Sequence, residues 1–137
     1  MTQVFLLDTN IISETRLSRR NPGLAQWWAR ADPDELFLSA VSLGEIARGI
    51  EQLRVRDVSR AEALSVWLGE LRDLFSDRIV SLDESIAIEW GRSSADRSRP
   101  VIDTMIAATA RVRGMTLVTR NIRDVEGLGV RVLNPFS

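Results

Sequence analysis

The sequence predicts an α/β fold built on a mainly parallel sheet flanked by helices. Three observations lead to it. Short, unbroken apolar runs such as Phe5-Leu6-Leu7 and Leu36-Phe37-Leu38 read as strands buried on both faces. Longer stretches between them carry apolar residues at helical spacing. The two kinds alternate along the whole chain, as they do in βαβ units.

The first strand is Val4-Phe5-Leu6-Leu7, running straight into Asp8. Residues 10–17 suit a short helix. Asn21-Pro22 then starts a second helix, with Asn as cap and Pro at the first helical position. That helix reaches about Arg30 and carries Leu24, Trp27 and Trp28. Asp32-Pro33-Asp34 is a turn, and residues 36–41 are the second strand. Ser42-Leu43-Gly44-Glu45 reads as a capping box opening the next helix, with Ile46, Ile50 and Leu53 on one face.

Ser59-Arg60-Ala61-Glu62 has the same capping pattern. The helix behind it bears a wide stripe of Leu64, Trp67, Leu68, Leu71, Leu74 and Phe75. Residues 79–82 are the third strand, and Asp83 can cap a helix bearing Ile86, Ala87 and Trp90. Pro100 opens a helix through about Val112, ended by Gly114. Residues 116–119 are the fourth strand and residues 130–133 a short last one. Neither a repeat nor a linker divides the chain, and its 137 residues suit one domain over 1–137.

Composition narrows the chemistry. There is no Cys and no His, which removes thiolate nucleophiles, His general bases and Cys or His metal sites. All 18 basic residues are arginine, so a lysine-dependent phosphate loop is excluded. Net charge is −1, so any contact with nucleic acid rests on local arginines, among which Arg92, Arg97, Arg99, Arg120 and Arg123 are candidates. Each of them also suits a solvated surface. No apolar run is long enough for a membrane span or a signal-peptide core, which leads us to expect a cytoplasmic protein with no membrane partner.

Four acids are candidates for function: Asp8, Glu45, Asp103 and Asp124. Each has an ordinary structural reading as well. Asp8 could cap a helix, Glu45 could complete the capping box, Asp103 could favour its helix dipole, and Asp124 could belong to a polar turn. Their placement links them. Asp8 and Asp124 follow strands at the same end of a parallel sheet, and Glu45 begins the helix after the second strand. Asp103 fits less cleanly, because it follows a helix. Ligands of open α/β sheets bind beyond the carboxyl ends of the strands. An all-oxygen carboxylate cluster suits a hard cation, Mg²⁺ or Mn²⁺, which can clamp a phosphodiester and activate water. Thr9, Asn10, Thr119 and Asn121 stand beside these acids in sequence and are candidates for orienting them.

Four blocks also carry a resemblance: Leu7-Asp8-Thr9-Asn10, Ser42-Leu43-Gly44-Glu45-Ile46, the run from Val101 through Asp103 to Ala110, and Thr119-Arg120-Asn121-Ile122-Arg123-Asp124. In this order and spacing, with the closing Asn134-Pro135, the chain resembles PIN-domain ribonucleases. Within them it resembles the VapC-type toxins of bacterial toxin–antitoxin pairs. The resemblance implies a sheet in the order 3-2-1-4-5 and RNA cleavage with Mg²⁺ or Mn²⁺ held by Asp8, Glu45, Asp103 and Asp124. It also implies a homodimer and a cognate antitoxin that holds the toxin inactive. Two other classes fit parts of the sequence. Aspartyl phosphoryl transfer wants a second Asp where Asn10 stands, and a lysine that is absent. A non-catalytic RNA- or protein-binding domain would leave all four acids as caps and turns.

Overall fold

A computed structural model describes residues 3–17, 19–96 and 98–137. Arg97 thus lies outside the described residues. The elements run β1 (Phe5–Leu7), α1 (Thr9–Thr15), α2 (Pro22–Arg30), β2 (Leu36–Ser39), α3 (Ala40–Arg54), α4 (Val58–Leu74), β3 (Ile79–Val80), α5 (Glu84–Ser93), α6 (Val101–Arg113), β4 (Thr116–Val118) and β5 (Val132–Leu133). Single 3₁₀ turns cover Pro33–Glu35 and Ile122–Val125. The strands form one sheet in the order β3-β2-β1-β4-β5, every pairing parallel, as the resemblance implied.

The solid apolar runs are explained by burial on both faces of this sheet. Leu7 and Leu38 join a core with Ile11, Ile12 and Leu24, against α1 to α4. Leu6 and Leu117 join a second core with Ile106, Ala107 and Ala110 of α6. Adjacent strand residues point to opposite faces, so Leu6 and Leu7 need apolar partners on both sides. No described helix is long and apolar enough to cross a membrane.

Several helix starts match the sequence reading, and two do not. Asn21 caps α2, its side-chain oxygen accepting from the N–H groups of Gly23 (3.0 Å) and Leu24 (3.2 Å). Asp83 caps α5 by accepting from Ile86 N–H. Gly114 ends α6 at φ 67°, a backbone angle that favours glycine. The second strand, however, stops at Ser39, and Ser39 rather than Ser42 caps α3, accepting from Val41 N–H at 3.1 Å. Likewise Asp57, not Ser59, caps α4. Glu62, freed from a capping role, pairs with Arg54 of α3. In the α4 stripe, Leu71 and Phe75 are buried, but Leu74 is 66% exposed and lies outside the core.

Asn21 also ties the far end of the chain to α2. Its side-chain oxygen accepts from Ser137 N–H at 3.0 Å, and Gly23 sits so close that a Cβ there would lie 2.5 Å from the Pro135 carbonyl oxygen. Asn21→Ala removes a cap and the tail contact together. We expect a loss of about 1–2 kcal/mol in urea unfolding. An unchanged midpoint would show that neither contact contributes.

Candidate active site

The parallel register brings three side chains together at one end of the sheet. Leu7 pairs with Leu38 on one side and Val118 on the other, so the next residues in line are Asp8, Ser39 and Thr119. Asp8 is 3% exposed. One of its oxygens accepts from Thr9 N–H at 2.7 Å, and the other accepts from the Thr119 hydroxyl at 2.8 Å. Asp8 therefore does cap α1, as its ordinary reading held, but only one oxygen is spent on that role. The Thr119 hydroxyl is itself held by an N–H from Asn121 at 3.0 Å.

Thr9 has a different part. Its hydroxyl donates to Ser42 Oγ at 3.0 Å, joining α1 to α3 just before Glu45. Ser42 lies inside α3 and is fully buried, so its capping role is replaced by this tie. With the cap at Ser39, Glu45 has no capping box to complete. It stands in the second turn of α3, half-buried, and lines a cleft of about 380 Å³ with Asp8, Asn10, Ser13 and Asp103. Asn10 is exposed at the edge of the cleft.

Asp103 stands in the first turn of α6. That helix leads into a parallel strand, so it must begin at the end of the sheet where the strands finish. Its position after a helix rather than a strand is therefore no obstacle. Asp124 approaches from the 3₁₀ turn after β4, and Arg99 of the loop before α6 donates to its backbone carbonyl at 3.5 Å. Asp124 does not line the cleft, but its charge bears on both Asp8 and Asp103.

The electrostatics record how close the four acids come. Burial pushes the Asp103 carboxyl up to about 6, and the charges of Asp8, Asp124 and Glu45 push the same way. Burial also raises the Asp8 carboxyl, while its bonds from Thr119 and Thr9 lower it. No arginine forms a salt bridge to any of the four among the described residues. Uncompensated negative charge on an all-oxygen donor set fits a hard divalent cation. The acids bracket the cleft rather than close on it: among the described residues no three form a ready-made cage. A divalent cation that keeps several waters can be held by one or two such carboxylates.

Arg16 was not among the phosphate-binding candidates of the sequence, yet it lines this cleft. The signal was there in the spacing: Thr9, Ser13 and Arg16 fall four and three apart, on one face of α1. Of the arginines that were candidates, Arg99 holds the Asp124 turn and Arg120 stacks on Phe136, while Arg92 and Arg123 are exposed.

A pH dependence follows from Asp103. Its folded pKa lies above the ordinary 3.8, so between about 4 and about 6 the folded state keeps a proton that the unfolded chain has released. Stability of the cation-free protein therefore falls as pH rises through that window. Asp103→Asn should gain on the order of 1 kcal/mol at pH 7.5 in chelator, discounted for partial solvent screening, and nothing at pH 4. Urea titrations at the two pH values check this. A loss at pH 7.5 would mean that the helix-dipole role outweighs the repulsion.

Comparison with known proteins agrees with this architecture. The family model for the PIN domain matches residues 5–125. The chain is 30% identical to Toxin FitB of Neisseria gonorrhoeae, over 97% of this chain and 99% of that protein. It is 31% identical to the tRNA(fMet)-specific endonuclease VapC of Shigella flexneri, over 91% of this chain and 92% of that protein. Among solved structures, FitAcB from Neisseria gonorrhoeae superposes with a TM-score of 0.85 at 28% identity, covering 96% of this chain and 98% of that one. The matched stretch begins in β1 and ends in the turn that bears Asp124, so it contains all four acids, and on that ground the chain belongs to the PIN domain family.

Proposed function

We propose that this chain is a metal-dependent endoribonuclease toxin, which hydrolyses RNA phosphodiesters and restrains growth when released from its antitoxin. The observation that carries the reading is the convergence of Asp8, Glu45, Asp103 and Asp124 from four separate elements onto one end of the sheet. Caps and turns would explain each acid alone but not their mutual repulsion. The endonuclease among the relatives supports the reaction class, and the toxin among them supports the biological role.

Asp8 and Asp103 are the residues we assign to hold Mg²⁺ or Mn²⁺, with Glu45 and Asp124 completing the set directly or through water. The cation, when bound, neutralises charge on the scissile phosphate and lowers the pKa of the attacking water. Thr119 keeps Asp8 aimed by occupying one of its oxygens. Glu45 is the acceptor we assign to the proton that the water loses, a reading its half-buried position on the cleft wall supports. Water adds at phosphorus in line with the departing 3′ oxygen, which takes a proton from solvent, leaving a 5′-phosphate and a 3′-hydroxyl. With no His in the chain, a pair of imidazoles cannot activate the 2′-hydroxyl.

The same reading carries a cognate antitoxin, a homodimer, a cytoplasmic setting and one domain over residues 1–137. The exposed Val66 and Leu74 of α4 support a protein interface on that helix.

The test is cleavage of total RNA by purified, antitoxin-free protein, with Mn²⁺ and with chelator. We expect discrete cuts that require the cation, and a fall of at least about 100-fold in Asp8→Asn and in Asp103→Asn, on the scale of losing charge stabilisation at a reacting centre. Both variants should keep a cooperative melt. Wild-type rates in either one would remove it from the metal site.

A further inference from the structure

Beyond the acid cleft the surface continues into a shallow depression of about 530 Å³ between α1 and the loop after β4. The two share a wall, since Asn10, Ser13 and Arg16 line both. On the far side stand Arg120, Asn121 and Phe136. Each arginine is braced by a ring. The Arg16 guanidinium lies 5.8 Å from the Trp67 ring centre, and that of Arg120 lies 4.7 Å from the Phe136 ring centre. Neither takes part in a salt bridge among the described residues. One acid, Glu14, also lines the depression.

We propose that this depression is a subsite for the nucleotides flanking the scissile phosphate, with Arg16 and Arg120 gripping the backbone of single-stranded RNA. The inference rests on the nuclease reading and adds where its substrate lies. A cleft lined by three acids, with Asp124 beside it, repels a polyanion, so the chain needs fixed positive charge close by to seat one. A guanidinium stacked on a ring loses less freedom when it meets a phosphate. Asn10, Ser13 and Asn121 offer donors and acceptors to sugar hydroxyls and base edges between the two arginines. The closing residues of the chain belong to the subsite, because Phe136 braces Arg120 and is followed by Ser137, which Asn21 anchors.

The test measures binding of a short, fluorescein-labelled, mixed-sequence single-stranded RNA in chelator across a salt series. Wild type, Arg16→Gln, Arg120→Gln and Arg120→Lys are compared. Arg30→Gln is the control, since Arg30 ends α2 at the opposite end of the sheet and is exposed. We expect each Gln variant to bind about tenfold more weakly, as loss of a charge-assisted contact does. Each should lower the salt slope by about 0.7, the value for one phosphate contact on a single strand. Arg120→Lys should keep the wild-type slope but lose affinity, because it keeps the charge without the planar stacking. With Mn²⁺ present, the Gln variants should raise KM with kcat nearly unchanged. Gln variants that bind with the affinity and slope of wild type and of Arg30→Gln would overturn the subsite, as would a wild type that binds no RNA. RNA binding that depends on both arginines, without any Mn²⁺-dependent cleavage, would instead overturn the nuclease reading and leave the subsite standing.

Discussion

Asp8 sits at the end of the central strand with 3% of its surface exposed, and an ionised carboxylate is costly to bury. Two hydrogen bonds offset that cost, one from its own helix and one from Thr119 at the end of the neighbouring strand. The second bond exists only because β1 pairs in parallel with β4 in the register that sets Leu7 beside Val118. A shift by one residue would turn Asp8 away and leave it buried without that donor. On the other side, β2 delivers Ser39 as the cap of α3, which brings Ser42 to Thr9 and Glu45 to the cleft. The site thus depends on one strand having both its neighbours in step.

The same placement stores repulsion. Asp103 and Asp8 are both pushed upward by burial and by the charges of Glu45 and Asp124, with Asp8 adding to the push on Asp103, and no arginine closes an ion pair with either among the described residues. Elsewhere several charges are paired: Arg111 with Glu89 and Arg113 with Asp83 bind α6 to α5, and Arg54 joins Glu51 and Glu62. These pairs lie away from the four acids at the sheet's end, which form none among the described residues. Sites of this kind commonly trade stability for binding a charge that arrives from outside.

Around the acids the surface changes sign over a short distance. Arg16 and Arg120 are set against rings rather than carboxylates, and the aromatic partners come from α4 and from the closing residues of the chain. The contacts of Asn21 and Gly23 with Ser137 and Pro135 therefore do more than finish the fold. They hold Phe136 where it can brace a cation beside the cleft.

Much of this was legible in the sequence. The strands announced themselves as solid apolar runs because both sheet faces are covered, and Asn21, Asp83 and Gly114 marked helix ends by chemistry that acts over a few residues. Asp8 at the end of such a run was legible for the same reason. What the sequence could not resolve was any choice between two local solutions of equal merit. Ser39 and Ser42 can each cap a helix, as can Asp57 and Ser59, and only the length of β2 and the packing of α4 on α3 decide between them. Thr9 and Ser42 are 33 residues apart, Asp8 and Thr119 are 111 apart, and Arg16 finds Trp67 across two helices. Residue type and spacing determined which groups could act. Strand order and register decided which of them meet, because those contacts arise from pairing distant segments and leave no period in the chain.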